Sequence, residues 1–275
     1  RFIFDRFSLP NTHLYAAVLT AYSSSLPLHA SSAFSFFSLM VNRSFPRPNH
    51  FIYPLVLKST PHLSSPLSTP LVHSHLLKSG FHHYVVVQTA LLHSYASSVS
   101  HIPLARQLFD EMSERNVVSW TALLSGYAKS GDISNAVALF EEMPERDVPS
   151  WNAILAACTQ NGLFVEAISL FRRMINEPLV RPNEVTLVCV LSACAQTGTL
   201  QLAKGIHAFA YRRALFSDVF VSNSLVDLYG KCGNLEEASS VFKMTNKKSL
   251  TAWNSMINCF ALHGRSDEAI AVFEE

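Results

Sequence analysis

Val148-Pro149-Ser150-Trp151-Asn152-Ala153-Ile154-Leu155-Ala156-Ala157-Cys158-Thr159-Gln160-Asn161-Gly162 opens the stretch of sequence, running on to Asn183, whose reading decides the fold. Trp151, Ile154, Leu155 and Cys158 recur at steps of three and four residues, which predicts a helix with one buried face. Asn161-Gly162 predicts its end, because glycine enters the left-handed region without a Cβ clash. A second periodic stretch follows through Val165, Ile168, Leu170, Phe171 and Met174, with Ala167 where two helices must approach closely. Arg181-Pro182-Asn183 is expected to stop that second helix, since proline lacks an amide and restricts the residue before it. The stretch reads as a helical hairpin.

The same register extends outward in both directions. Glycines stand at Gly131, Gly162, Gly198, Gly233 and Gly264, at spacings of 31, 36, 35 and 31 residues. Five residues after each comes an alanine (Ala136, Ala167, Ala203, Ala238, Ala269), and four beyond that Phe140, Phe171, His207, Phe242 and Phe273. A period in this range means stacked units rather than one globular core. Unit boundaries fall at 12–49, 50–84, 85–116, 117–147, 148–183, 184–218 and 219–249, with 1–11 as the tail of an earlier unit and 250–275 as the start of a later one. One hairpin leaves an apolar face exposed, so neighbours must stack on it. The expected fold is all-α: a right-handed α-solenoid of helical hairpins.

Composition is consistent with a folded chain, 49% hydrophobic and 15% charged. No apolar run approaches the ~18–20 residues that cross a bilayer, so no membrane partner is expected. The chain starts at Arg1 and stops in mid-unit at Glu275, and is read as part of a longer protein. Net charge is +1, which argues against binding driven by phosphate charge alone, although residues 1–84 carry +5 and the remainder −4. Cys158, Cys189, Cys194, Cys232 and Cys259 form no C-x-x-C pair and lie in apolar helical stretches, which points to buried reduced thiols and no metal site. The twelve histidines show no metal-ligand spacing, and His73 and His207 hold equivalent positions in two units, as packing residues would. No G-x-S-x-G, G-x-x-x-x-G-K-[ST], H-E-x-x-H or zinc-deaminase signature occurs. Neither catalysis, a cofactor nor a small-molecule substrate is expected of these residues.

Val118-Ser119-Trp120-Thr121-Ala122-Leu123-Leu124, Pro149-Ser150-Trp151-Asn152-Ala153-Ile154-Leu155 and Thr251-Ala252-Trp253-Asn254-Ser255-Met256-Ile257 open successive units. These openings, with Tyr229-Gly230-Lys231-Cys232-Gly233-Asn234-Leu235-Glu236-Glu237-Ala238 and Lys204-Gly205-Ile206-His207-Ala208, resemble plant pentatricopeptide repeat (PPR) proteins over essentially the whole chain. The mixed unit lengths resemble the PLS subclass: 12–49 and 148–183 are P-like, 50–84 and 184–218 L-like, and 85–116, 117–147 and 219–249 S-like.

The resemblance implies binding of single-stranded RNA, about one base per repeat, read by two or three side chains. It places base-reading residues at the fifth and last positions of each unit. Thr89 with Asn116 is then an adenine pair and Thr121 with Asp147 a guanine pair. Asn152 with Asn183 favours cytosine over uracil, and Asn223 with Ser249 is similar but weaker. Ala16 with Asn49 is atypical; Pro54 with Tyr84, and Val188 with Asp218, have fifth residues that form no hydrogen bond to a base; Asn254 belongs to the last, partial unit. From residue 85 onward the implied order is A, G, pyrimidine, any base, pyrimidine. Val86, Val118, Val185 and Phe220, at position two, are expected to pack on base faces, with Pro149 less regular. The three tryptophans are expected to anchor the core rather than stack on bases. For any one unit, a Thr or Asn in the first turn has the competing reading of a helix cap; recurrence in register favours RNA.

PLS proteins commonly serve as specificity factors for C-to-U editing of mitochondrial or chloroplast transcripts. The resemblance therefore implies an organellar location and, besides RNA, other proteins of an editing complex as partners. A protein–protein interaction solenoid that grips peptides or organises a complex stays open as the alternative.

Overall fold

The computed structural model describes residues 11–43, 46–245 and 248–275; the expected repeat tail at 1–11 lies outside them except for Asn11. All regular structure among the described residues is helical. The chain divides into two compact units, one through Met143 and one from Pro144.

In the first unit, α1 (Thr12–Ser23) pairs with α2 (Ala30–Arg43), α3 (Ile52–Leu57) with α4 (Ser68–Ser79), α5 (Val85–Ala96) with α6 (Ile102–Glu111), and α7 (Val117–Ser130) with α8 (Ile133–Glu142). In the second, α9 (Val148–Gln160) pairs with α10 (Phe164–Asn176), α11 (Glu184–Thr197) with α12 (Leu200–Arg212), α13 (Val219–Lys231) with α14 (Leu235–Met244), and α15 (Leu250–Leu262) with α16 (Ser266–Glu274). Within each unit the first helices pack in a row, α1-α3-α5-α7 and α9-α11-α13-α15. Second helices such as α6, α10 and α14 wedge between their own first helix and the next one. This is the stacked-hairpin solenoid architecture, in which each apolar face is covered by a neighbour.

The register glycines end the first helices in the left-handed conformation, with φ between 67° and 76° at Gly131, Gly162, Gly198, Gly233 and Gly264. At Gly162 a Cβ would meet no atom within 4 Å, so the backbone angle and not lack of room requires glycine there. Gly126 shows the opposite case. Its Cβ would lie 2.9 Å from the Ile102 side chain and 3.0 Å from Ala96, so glycine lets α5, α6 and α7 approach closely. The register alanines Ala136, Ala167, Ala203 and Ala238 are fully buried.

Two kinds of joint connect successive hairpins. At two junctions the register residue is Phe and the next unit offers Trp four residues from its start. Phe109 meets Trp120 edge-on, with ring centroids 4.8 Å apart and planes at 78°; Phe242 meets Trp253 at 4.9 Å and 81°. A cation covers each phenyl ring, Arg115 at 5.0 Å and Lys248 at 5.2 Å. Where the register places His, the partner is a tyrosine hydroxyl: Tyr95 lies 2.9 Å from His73 Nδ1 and Tyr229 lies 3.0 Å from His207 Nδ1. Burial lowers the pKa of both histidines and raises that of both tyrosines, Tyr229 to about 12. These histidines and tryptophans are packing residues.

Two local details depart from the sequence reading. The second helix of the 148–183 hairpin ends at Asn176, not at Arg181-Pro182. Glu177 turns extended (φ −74°, ψ 125°) ahead of Pro178, which disfavours helical geometry in the residue before it. The 50–84 unit has a first helix of only six residues, because Thr60-Pro61 starts a 3-10 turn, Thr60–His62, in place of another α turn. The hydroxyls of Ser59 and Thr60 donate to the carbonyls of Val56 (2.6 Å) and Leu57 (2.9 Å) at the end of this helix. Pro54 sits in the first turn of α3, where no amide is needed.

The five cysteines are free thiols. Burial pushes the Cys158 and Cys194 thiols up to about 11, which keeps them protonated and unreactive.

Candidate nucleic-acid interface

A helix start leaves four amides without partners, and a short polar side chain just before it satisfies one or two of them. At the starts of α3, α7, α9, α11, α13 and α15 that residue is the last one of the preceding unit. Asn116 Oδ1 accepts from the Ser119 amide at 2.9 Å, and Asp147 Oδ1 from Ser150 at 2.9 Å. Asn183 Oδ1 accepts from Thr186 at 3.2 Å, and Ser249 Oγ from Ala252 at 3.1 Å. Asp218 Oδ1 takes the amides of Phe220 and Val221, and Asn49 Oδ1 those of Phe51 and Ile52. The capping duty that sequence alone offers to fifth residues thus belongs to the unit-final ones.

Committing one oxygen to the cap determines what the group still offers. Asn116 and Asn183 keep an amide nitrogen, a donor. Asp147 keeps a second carboxylate oxygen, an acceptor.

The fifth residues lie one turn into the same helices. In the second unit the structure brings two of the expected pairs into contact. Asn152 Nδ2 donates to Asn183 Oδ1 at 3.0 Å, and Asn223 Nδ2 donates to Ser249 Oγ at 2.9 Å. Thr89 donates its hydroxyl proton to its own helix, to the Val85 carbonyl at 2.8 Å, and so keeps only acceptor capacity. Thr121 Oγ1 is buried without a hydrogen-bond partner. Asn254 is exposed on α15. The fifth residues Pro54 and Val188 are half-buried and offer no polar group.

Position two is the third element. Val86, Val118, Val185 and Phe220 are 69%, 60%, 53% and 71% exposed, although each begins an otherwise well-packed helix. Sequence reasoning left Phe51 out of this row. It holds the same place in the unit from residue 50 and is 66% exposed. The signal was its offset from the unit start, the one that selects Val86. Single exposed apolar side chains are ordinary on a protein surface; the same register position exposed in unit after unit is not.

Phe51 also closes a groove of about 500 Å³ in the first unit, lined by Thr12, His13, Ala16, Thr20, Asn49 and Leu55. The atypical Ala16–Asn49 pair faces this space. Among the described residues no cluster of three His, Cys, Asp or Glu side chains is placed to hold a metal. Nor is any described helix long and apolar enough to cross a membrane.

A helical-hairpin repeat chain in which polar pairs and exposed apolar side chains recur at fixed places in several hairpins is the class that fold and site define. Residues 118–148, 149–179, 220–249 and 251–275 match the PPR repeat, and the chain is a PPR-repeat chain related to plant pentatricopeptide repeat proteins. It is 92% identical over 268 residues to the pentatricopeptide repeat-containing protein At1g33350 of Arabidopsis thaliana, covering 98% of this chain and 50% of that protein. It is 41% identical to a second Arabidopsis thaliana protein of this name, At1g09190, across 99% of this chain and 55% of the relative. The chain therefore spans about half the length of these relatives. In fold it is similar to the pentatricopeptide repeat protein PPR10 crystallised with an 18-nt psaJ RNA element, with a TM-score of 0.73 and 22% identity over 95% of this chain and 39% of PPR10.

Proposed function

We propose that this chain binds single-stranded RNA by sequence, about one base per repeat, as part of a specificity factor for processing or C-to-U editing of organellar transcripts. The observation that carries the reading is the direct hydrogen bond of Asn152 with Asn183, repeated by Asn223 with Ser249. A helix cap explains Asn183 and Ser249 alone; it does not explain why a second polar side chain from the first helix of the same unit meets each of them.

The free hydrogen-bonding capacity also suits the bases assigned. Thr89 keeps an acceptor and Asn116 a donor, which matches the amino group and ring nitrogen of adenine. Asp147 keeps an acceptor, which matches the two donors on the guanine edge. Asn183 keeps a donor, which matches the ring nitrogen acceptor of cytosine. Exposed Val86, Val118, Val185 and Phe220 supply faces on which bases pack, with stacking worth ~1–3 kcal/mol where an aromatic ring is involved. Asn49, Asp218 and Asn254 take the corresponding places in the remaining units.

An organellar location is supported by relatives named chloroplastic/mitochondrial or mitochondrial, 31% and 38% identical to this chain. PPR10, a fold neighbour, was crystallised on RNA. The editing role and the PLS assignment rest on the resemblance of the repeats, and this stretch contributes binding rather than catalysis.

The test is a binding titration with short RNAs that differ only in the base opposite Asn152–Asn183. Asn183→Asp keeps the capping oxygen and replaces the free amide donor by an acceptor. Preference should move from cytosine towards uracil, whose ring nitrogen carries a proton. Equal affinity of the unaltered chain for all four bases would reject base reading and leave the protein-interaction scaffold.

A further inference from the structure

The two asparagine pairs of the second unit look equivalent in sequence, yet their surroundings differ at one place. Three residues past Asn183 stands Thr186, fully buried; three residues past Ser249 stands Ala252, buried as well. Thr186 Oγ1 lies 2.6 Å from Asn152 Oδ1 and 3.0 Å from Asn183 Oδ1; its one proton goes to the nearer oxygen, reaching back into the preceding hairpin. It also accepts from the Asn183 amide at 3.2 Å, closing a capping box. At the other pair nothing replaces it: Asn223 is nine-tenths buried, and its Oδ1 has no hydrogen-bond partner. At the same position in other units, Ser119 and Ser150 turn their hydroxyls onto the backbone carbonyls of Asn116 and Asp147, both at 2.8 Å.

We infer that Thr186 is a positioning residue for base selection, a lock on the orientation of the Asn152 side-chain amide; the selectivity part of this inference rests on the base-reading proposal above. The helix cap fixes Asn183 Oδ1 towards the Thr186 amide. Asn152 must then present its nitrogen to that oxygen, because the opposite orientation would set two carbonyl oxygens against each other. Its own oxygen faces inward, where the Thr186 hydroxyl satisfies it. The amide is held at both ends, and the pair offers donors only.

The Asn223 pair lacks both constraints. Ser249 Oγ both donates and accepts, so it tolerates either group of Asn223. No hydroxyl at 252 rewards the inward oxygen. The amide of Asn223 is free to turn and to offer a donor or an acceptor, so cytosine and uracil are both served. Thr186 therefore makes the Asn152 pair a cytosine reader, and Ala252 leaves the Asn223 pair a reader of either pyrimidine.

Thr186→Val keeps shape and removes the donor, whereas Thr186→Ser keeps the donor. Affinities for two short RNAs with cytosine or uracil opposite Asn152 give a ratio for each chain. Thr186→Val should lower the cytosine-to-uracil ratio by about three- to tenfold, the size of one hydrogen bond, with Thr186→Ser close to the unaltered chain. A purely structural role would weaken both RNAs in proportion and leave the ratio unchanged, which overturns the inference. A second measurement needs no RNA. In the free chain Thr186→Val should speed exchange of the Asn152 side-chain amide protons with solvent and leave that of Asn223, which is nine-tenths buried, unchanged. Unchanged exchange at Asn152 overturns the lock whatever the RNA result. Faster exchange at Asn152 in Thr186→Val with no base preference keeps the lock and rejects base reading.

Discussion

The Phe109–Trp120 joint and the His207–Tyr229 joint do the same mechanical work by different chemistry. Each fixes a second helix against the first helix of the next hairpin. In the former, two rings meet edge-on under a guanidinium, and burial of apolar area supplies the stability. In the latter, an imidazole replaces the phenyl ring and a hydroxyl three ångströms away satisfies it. The histidine joints close the α3–α4 and α11–α12 hairpins, whose fifth residues Pro54 and Val188 carry no side-chain hydrogen-bonding group. The aromatic joints shown by Phe109 and Phe242 close the α5–α6 and α13–α14 hairpins, with polar fifth residues Thr89 and Asn223. At these four junctions the chemistry of the joint changes together with the polarity of the fifth residue.

Substitutions that exchange or empty the joints test this contrast. The largest effect is expected from Phe109→Ala, which removes a ring that is 2% exposed and leaves Trp120 and Arg115 without their partner. Urea unfolding should show a loss of about 3–5 kcal/mol. Tyr229→Phe keeps ring and volume but leaves the His207 Nδ1 without its donor. A loss of about 1–3 kcal/mol is expected by the same measurement. If both substitutions cost the same, the distinction between apolar and polar joints fails.

Much of this architecture is legible in sequence because it repeats. Gly131, Gly162, Gly198, Gly233 and Gly264 mark helix ends through a backbone requirement that one residue type meets best. Equivalence of His73 and His207 is legible too, but not their tyrosine partners, since 22 residues of chain separate Tyr95 from His73 and no local rule links them. At the interface, the recurrence of polar fifth and last residues can be counted from sequence. That the last residue spends one oxygen on a helix cap cannot, and this decides whether a donor or an acceptor is left over. Thr186 escapes sequence reading altogether, because a buried hydroxyl at the third position of a helix looks like ordinary capping chemistry until Asn152 is seen 2.6 Å away. The second-helix end at Asn176 is missed because two prolines, Pro178 and Pro182, compete, and the earlier one acts first.

The smallest effect separates the histidine joints from the aromatic ones by acidity. Burial lowers the pKa of His207, with Glu237 partly offsetting it; burial lowers that of His73 too, with Glu111 offsetting and His82 adding to the shift. The folded chain therefore holds these rings neutral at pH values where the unfolded chain, with histidines near pKa ~6.5, already protonates them. In that window the unfolded state binds more protons, so stability rises with pH. The contribution is complete above about pH 6.5 and is lost as pH falls through the lowered folded values. Protonation also makes both ring nitrogens donors, so the Tyr229 hydroxyl must then accept from Nδ1. His207→Phe, which installs the register residue of the aromatic joints, should flatten the acid limb of the stability curve. Tyr229 then has no imidazole to serve, so the double variant His207→Phe/Tyr229→Phe should recover any loss the single change causes. An acid limb as steep in His207→Phe as in the unaltered chain would place the proton-linked group elsewhere in the fold, and the two joints would then differ in shape alone.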